Sequence, residues 1–121
     1  MNATISLSDL QEANASEVAK LRSLAESFDE SGDSSRRFAA HVKAIEGLVR
    51  NAYQCSAIMA RKSEGMEDTA EIWRRMAEFC DQTLAQLKRL TAQYPRCATE
   101  ELYDLILDCR NAAARRMELH L

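Results

Sequence analysis

The chain has 121 residues and sets 16 basic against 19 acidic side chains for a net charge of −3, so no general field draws it to nucleic acid or to anionic lipid. Three glycines and one proline leave little room for a turn-dense β fold, and 46% hydrophobic residues with charges of both signs exclude a disordered chain. No apolar run approaches the ~20 residues of a membrane span, and Met1-Asn2-Ala3-Thr4 lacks a basic stretch before an apolar one. The expectation is one domain over residues 1–121, mostly helical and cytoplasmic, with neither a membrane nor a nucleic acid as partner.

Helix 1 is expected over about 8–30, with Ser8-Asp9-Leu10-Gln11 as a capping box and Ser8 as its N-cap. Leu10, Val18, Leu21, Leu24, Ala25 and Phe28 make its buried face. The turn formers of Glu30 to Ser35 end it, with Gly32 suited to the left-handed position after a helix and Asp33 or Ser34 to the next N-cap. Helix 2, over about 35–63, repeats apolar residues at alternating spacings of four and three: Phe38, Val42, Ile45, Val49, Ala52, Ser56 and Met59.

Gly65 closes helix 2, and Asp68-x-x-Glu71 can cap helix 3 over about 67–94, with Glu67 near the positive end of its dipole. From Met66 the same rhythm selects Ala70, Trp73, Ala77, Cys80, Leu84, Leu87, Thr91 and Tyr94, with Ile72, Met76, Phe79 and Leu90 alongside. An arc that wide needs neighbours on two sides. Tyr94-Pro95 stops the helix, because proline disfavours the α conformation in the residue before it. Thr99 is a fitting N-cap for helix 4, over about 99–120, with Glu100 and Glu101 in its first turn. Short connections between long helices favour antiparallel neighbours, so the predicted fold is all-α, an up-down-up-down four-helix bundle.

The residues exclude some chemistries and leave others open. Cys55, Cys80, Cys97 and Cys109 form no Cys-x-x-Cys pair, so neither a zinc knuckle nor a thioredoxin-type motif is present. They read as reduced structural thiols, with Cys97 alone expected at the surface. A di-iron bundle needs Glu-x-x-His, but Phe38 precedes His41 by three residues and Met117 precedes His120. No metal or cofactor is expected.

Ala40-His41-Val42-Lys43 is superficially similar to the histidine phosphotransfer signature. That family has lysine and glycine three and four residues after the histidine, where this chain has Ala44 and Ile45, and Lys43 lies about 200° around the helix. His41 also aligns with Leu48 and Met59 in the apolar arc, which suits a histidine hydrogen-bonded at the bundle's rim. Arg36-x4-His41 and Arg115-x4-His120 each resemble the Arg-x4–6-His pattern of the HEPN ribonucleases. Twelve arginines against four lysines make such a coincidence common. The arginine surplus itself suits mixed surface pairing, or phosphate contacts through guanidinium forks.

Two further patterns remain. Asn14 and Glu17 intrude on the apolar arc of helix 1, as Arg116 does on that of helix 4. In an antiparallel pair they stand within about two turns of one another, so they either snorkel to water at the bundle edge, form a buried Glu17–Arg116 pair that fixes register, or line a ligand site. On helix 4, Tyr103, Leu107, Ala114 and Leu121 form a second apolar stripe about 100° to 140° from Leu102. Ile58 on helix 2 is a similar outlier. A row of this kind suggests a contact surface. The functional expectation is a non-enzymatic helical interaction module, adaptor-like or chaperone-like, binding a protein partner or itself as a homodimer. The alternative is a histidine phosphotransfer-like or HEPN-like bundle using His41 or His120.

Overall fold

The computed structural model describes residues 6–27, 33–61, 69–95, 97 and 99–119. Four helices account for 95% of them, with no strand among the described residues: α1 (Leu7–Ser27), α2 (Asp33–Arg61), α3 (Thr69–Gln93) and α4 (Glu100–Leu119). Consecutive helices pack together, and α1 also meets α4, which closes the four into a bundle. Cross-helix pairs run in opposite senses along each seam. Asn14 meets Ser56 while Arg22 meets Glu46 between α1 and α2. Thr91 meets Thr99 while Asp81 meets Arg110 between α3 and α4.

The four-three rhythm of α2 is buried throughout, from Phe38 to Met59. On α3 the rhythm holds from Trp73 to Leu87, with Trp73 3% exposed. It lapses at the ends, where Ala70 is half-buried and Thr91 is exposed, and Phe79 is only half-buried at the side of the arc. Phe38 and Tyr94 meet edge to face with centroids 5.1 Å apart, tying the start of α2 to the end of α3.

The helix α1 is anchored differently. Its described apolar face has only Leu10 and Leu21 fully buried, with Val18 and Leu24 half-buried. Each full leucine burial supplies about 1.5–3 kcal/mol, so the described side chains of α1 bury less apolar surface than those of α2 or α3. Phe28 and the side chain of Ala25, expected on this face, lie outside the described residues.

Two local expectations are corrected. The N-cap of α1 is Ser6, whose Oγ accepts from the Asp9 N–H at 3.1 Å while its carbonyl accepts from the Leu10 N–H at 2.9 Å. Ser8 therefore sits inside the first turn, because Ser6-x-x-Asp9 supplies the same capping geometry two residues earlier. α2 likewise begins at Asp33, so Asp33 and Ser34 fall within its first turn. The expected turn and cap residues Glu30, Ser31, Gly32, Gly65, Met66, Glu67 and Asp68 lie outside the described residues. Thr99 holds the position before α4, and its carbonyl accepts from the Tyr103 N–H at 2.8 Å.

Trp73→Ala should cost about 3–5 kcal/mol in a denaturant titration, since it empties the largest side chain of the core; a loss below about 1 kcal/mol would show that Trp73 is not packed as described. Gly47 lies mid-helix on α2 with nothing within 4 Å of where a Cβ would stand. Gly47→Ala should accordingly stabilise the fold by about 0.5–1 kcal/mol by the same titration.

Candidate functional site

The most unusual grouping in the bundle is a polar layer inside it. Asn14 is 0% exposed and Glu17 is 1% exposed, and α-helical spacing of three places both on the inward face of α1. Asn14 Nδ2 donates to Glu17 Oε2 at 3.1 Å, and Ser56 Oγ on α2 donates to Asn14 Oδ1 at 3.1 Å. The same Ser56 hydroxyl lies 2.8 Å from the Tyr53 carbonyl. On the far side the Cys109 thiol of α4 faces the Glu17 carboxyl. Glu17 Oε1 has no hydrogen-bond partner.

Burial pushes the Glu17 carboxyl above the ordinary carboxylate value, and the Cys109 and Asn14 hydrogen bonds offset that only in part. Burial likewise raises the thiols around it. Cys80 and Cys109 are raised first by desolvation and further by the negative charge of Glu17. In this layer burial therefore disfavours the charged form of the carboxyl and of both thiols. Among the described residues no group of three His, Cys, Asp or Glu side chains is placed to hold a metal.

Snorkelling is therefore the wrong account of Glu17: its carboxyl is enclosed by α2 and α4, and no path along its own stem reaches water. Asn14 and Glu17 are brought together. Arg116 is placed elsewhere, with its guanidinium 5.3 Å over the Trp73 ring and Nη1 donating to the Ala112 carbonyl at 3.3 Å. Half-burial lowers its pKa. Sequence reasoning missed Ser56 and Cys109 as members of the layer. Each is small enough to pass for apolar filler in a helical stripe, and the only available signal was a serine in the α2 seam opposite an asparagine in the α1 seam.

The second stripe of α4 is partly absorbed. Tyr103 and Leu107 are half-buried and pack against the core, which corrects the reading of both as part of a stripe set apart from it. Lys88 of α3 lies 5.9 Å from the Tyr103 ring centroid. Ala114 is half-buried on the same edge, Ile58 is 39% exposed on α2, and Leu121 lies outside the described residues. Beside Tyr103, an open groove of about 600 Å³ runs between the end of α3 and the start of α4, over Leu87, Thr91 and Thr99. Lys88 on one wall faces Glu100 and Asp104 on the other, so the groove offers no single sign of charge to a ligand.

His41 is exposed, its ring 6.4 Å from Tyr94, and so lies outside the apolar arc in which the spacing had set it. Arg36 is exposed on the same helix, Arg115 is exposed on α4, and His120 lies outside the described residues. The arginines show mixed surface pairing: Arg22 with Glu46, Arg110 with Asp81, and Arg74 and Arg75 with Glu71. Such exposed pairs contribute little to stability.

Cys97 is also corrected. It is 9% exposed, and its N–H donates to the Tyr94 carbonyl at 3.0 Å. Burial raises its thiol, with the Thr91 hydroxyl opposing. All four cysteines are buried and free.

Thiol titration of the native protein should therefore proceed slowly at all four cysteines, and a single fast thiol at Cys97 would contradict its burial. Ser56→Ala should cost about 1–3 kcal/mol, since it leaves Asn14 Oδ1 buried without its donor; a neutral result in thermal or denaturant unfolding would show that the layer is not closed.

No protein family matches the chain, and no curated protein or solved structure does either, so its function has to be argued from these residues alone.

Proposed function

We propose that the chain is a non-enzymatic helical interaction module of the cytoplasm that pairs with a second copy of itself through one edge of α4. The observation that supports this reading is the row of Tyr103, Leu107 and Ala114, each left partly exposed along one edge of α4. A two-fold pairing suits such a row, because the seven-residue step from Leu107 to Ala114 lets one copy lie antiparallel on the other. Exposed Asp104, Asn111 and Glu118 border it and supply a polar rim. Among the described residues no helix is long and apolar enough to cross a membrane.

The phosphotransfer reading keeps one observation in its favour, the exposed imidazole of His41. Against it stand the residues three and four places on, Ala44 and Ile45, which offer no cation to a phosphoryl group. Incubation with a small acyl phosphate separates the two readings, since a phosphotransfer protein gains one acid-labile phosphoryl group at His41.

Ala114→Glu is the sharper probe of pairing, since Leu107 also serves the core. Light scattering should show the wild type as a dimer at tens of micromolar and the variant as a monomer with unchanged circular dichroism, because two like charges would meet on apolar surface. A wild type that is already monomeric would overturn self-association.

A further inference from the structure

The interior layer around Glu17 has a consequence for how α1 is held. Among described side chains α1 buries two apolar residues fully, Leu10 and Leu21, whereas α2 and α3 bury seven each and α4 five. Between those two leucines the fully buried positions of α1 are Asn14 and Glu17, with Ala13 and Val18 partly buried beside them. Among described side chains α1 thus has the fewest fully buried apolar residues, and at its middle it buries a carboxyl group with one oxygen unpartnered.

We propose that α1 is a proton-dependent latch: with Glu17 neutral its middle seats between α2 and α4, and with Glu17 ionised α1 lifts away while α2, α3 and α4 stay packed. The chemical step is one deprotonation, the proton passing to water as opening exposes the carboxyl. An ionised carboxylate in the layer would have to be neutralised there or leave it. The groups that face it supply no neutralising charge. From α1 it meets the Asn14 amide, from α4 the Cys109 thiol, and from α3 the Cys80 thiol, with Cys55 of α2 beyond Cys80. Ser56, which α2 adds to the layer through Asn14, is uncharged. The cations nearest in sequence on α1 are engaged outside it, Lys20 with Glu101 and Arg22 with Glu46, and Arg110, whose charge bears on Cys80, is paired with Asp81. The thiols remain protonated over the same pH range, because burial raises them as well.

Opening of α1 alone follows from the packing. α1 contacts α2 and α4 at its two sides, while α3 joins those two through the largest apolar faces. Local units with few buried apolar contacts open below the global unfolding limit.

Hydrogen exchange read by mass spectrometry tests this on the full chain, with rates corrected for the intrinsic pH dependence of exchange. Protection of α1 amides should fall by up to about tenfold per pH unit above the ordinary carboxylate range, one proton being released. Protection of α3 amides should hold. Glu17→Gln, which keeps the shape and cannot ionise, should make α1 protection independent of pH. Should that variant fail to fold, the wild-type contrast decides: selective loss in α1 supports the latch. Flat α1 protection, or α1 and α3 failing together, overturns it, as does a folded Glu17→Gln whose α1 loses protection with pH as the wild type does.

Discussion

A carboxyl group withdrawn from water in the middle of the bundle sets the terms for the rest of the fold. Glu17 is enclosed by α1, α2 and α4, and an ionised carboxylate there would cost far more than any of its two hydrogen bonds returns. Burial therefore favours the protonated form and raises the carboxyl above its ordinary value. Because the folded-state value is raised, the folded chain holds this proton at pH values where the unfolded chain has released it. The contribution to stability is then full below the unfolded carboxyl's ordinary value of 4.5 and is lost as pH rises through the folded-state value.

This layer also bears on how the helices are aligned. Apolar stripes tolerate sliding by a turn, since one leucine replaces another in the same hole. A chain of donors and acceptors from Ser56 through Asn14 to Glu17 and Cys109 does not, because any slip strands a buried polar atom. Its cost is a weaker seat for α1, and the apolar bulk supplied by α2 and α3 offsets that. The bundle thus divides its labour: Trp73, Phe38, Ile45 and Leu87 supply cohesion, and the polar layer supplies registry.

The stripes of α2 and α3 were legible because a four-three rhythm of large apolar residues has one geometric solution, and the four helices follow from it and from Pro95 and the turn formers. What could not be read was the depth at which a polar residue sits within its arc. Glu17 and Arg116 occupy comparable intrusive positions, yet a short stem encloses the first and a long one carries the second over Trp73 toward the rim. Leu107 failed for the opposite reason. It lies at the edge of its stripe, and only the close approach of α3 decides that it packs. Cys97 was misplaced because periodicity says nothing about a segment after proline, where the chain bonds back to the Tyr94 carbonyl and the thiol is buried.

The account rests on Glu17 being a neutral acid in the folded chain. The side-chain carboxyl carbon of Glu17 can be followed by NMR in protein labelled with carbon-13, across a pH titration and with the Glu17→Gln variant for assignment. The account predicts a resonance that keeps the chemical shift of the protonated acid at pH values above the ordinary carboxyl value of 4.5. A Glu17 resonance that titrates at or below that value, while the chain stays folded, would contradict it.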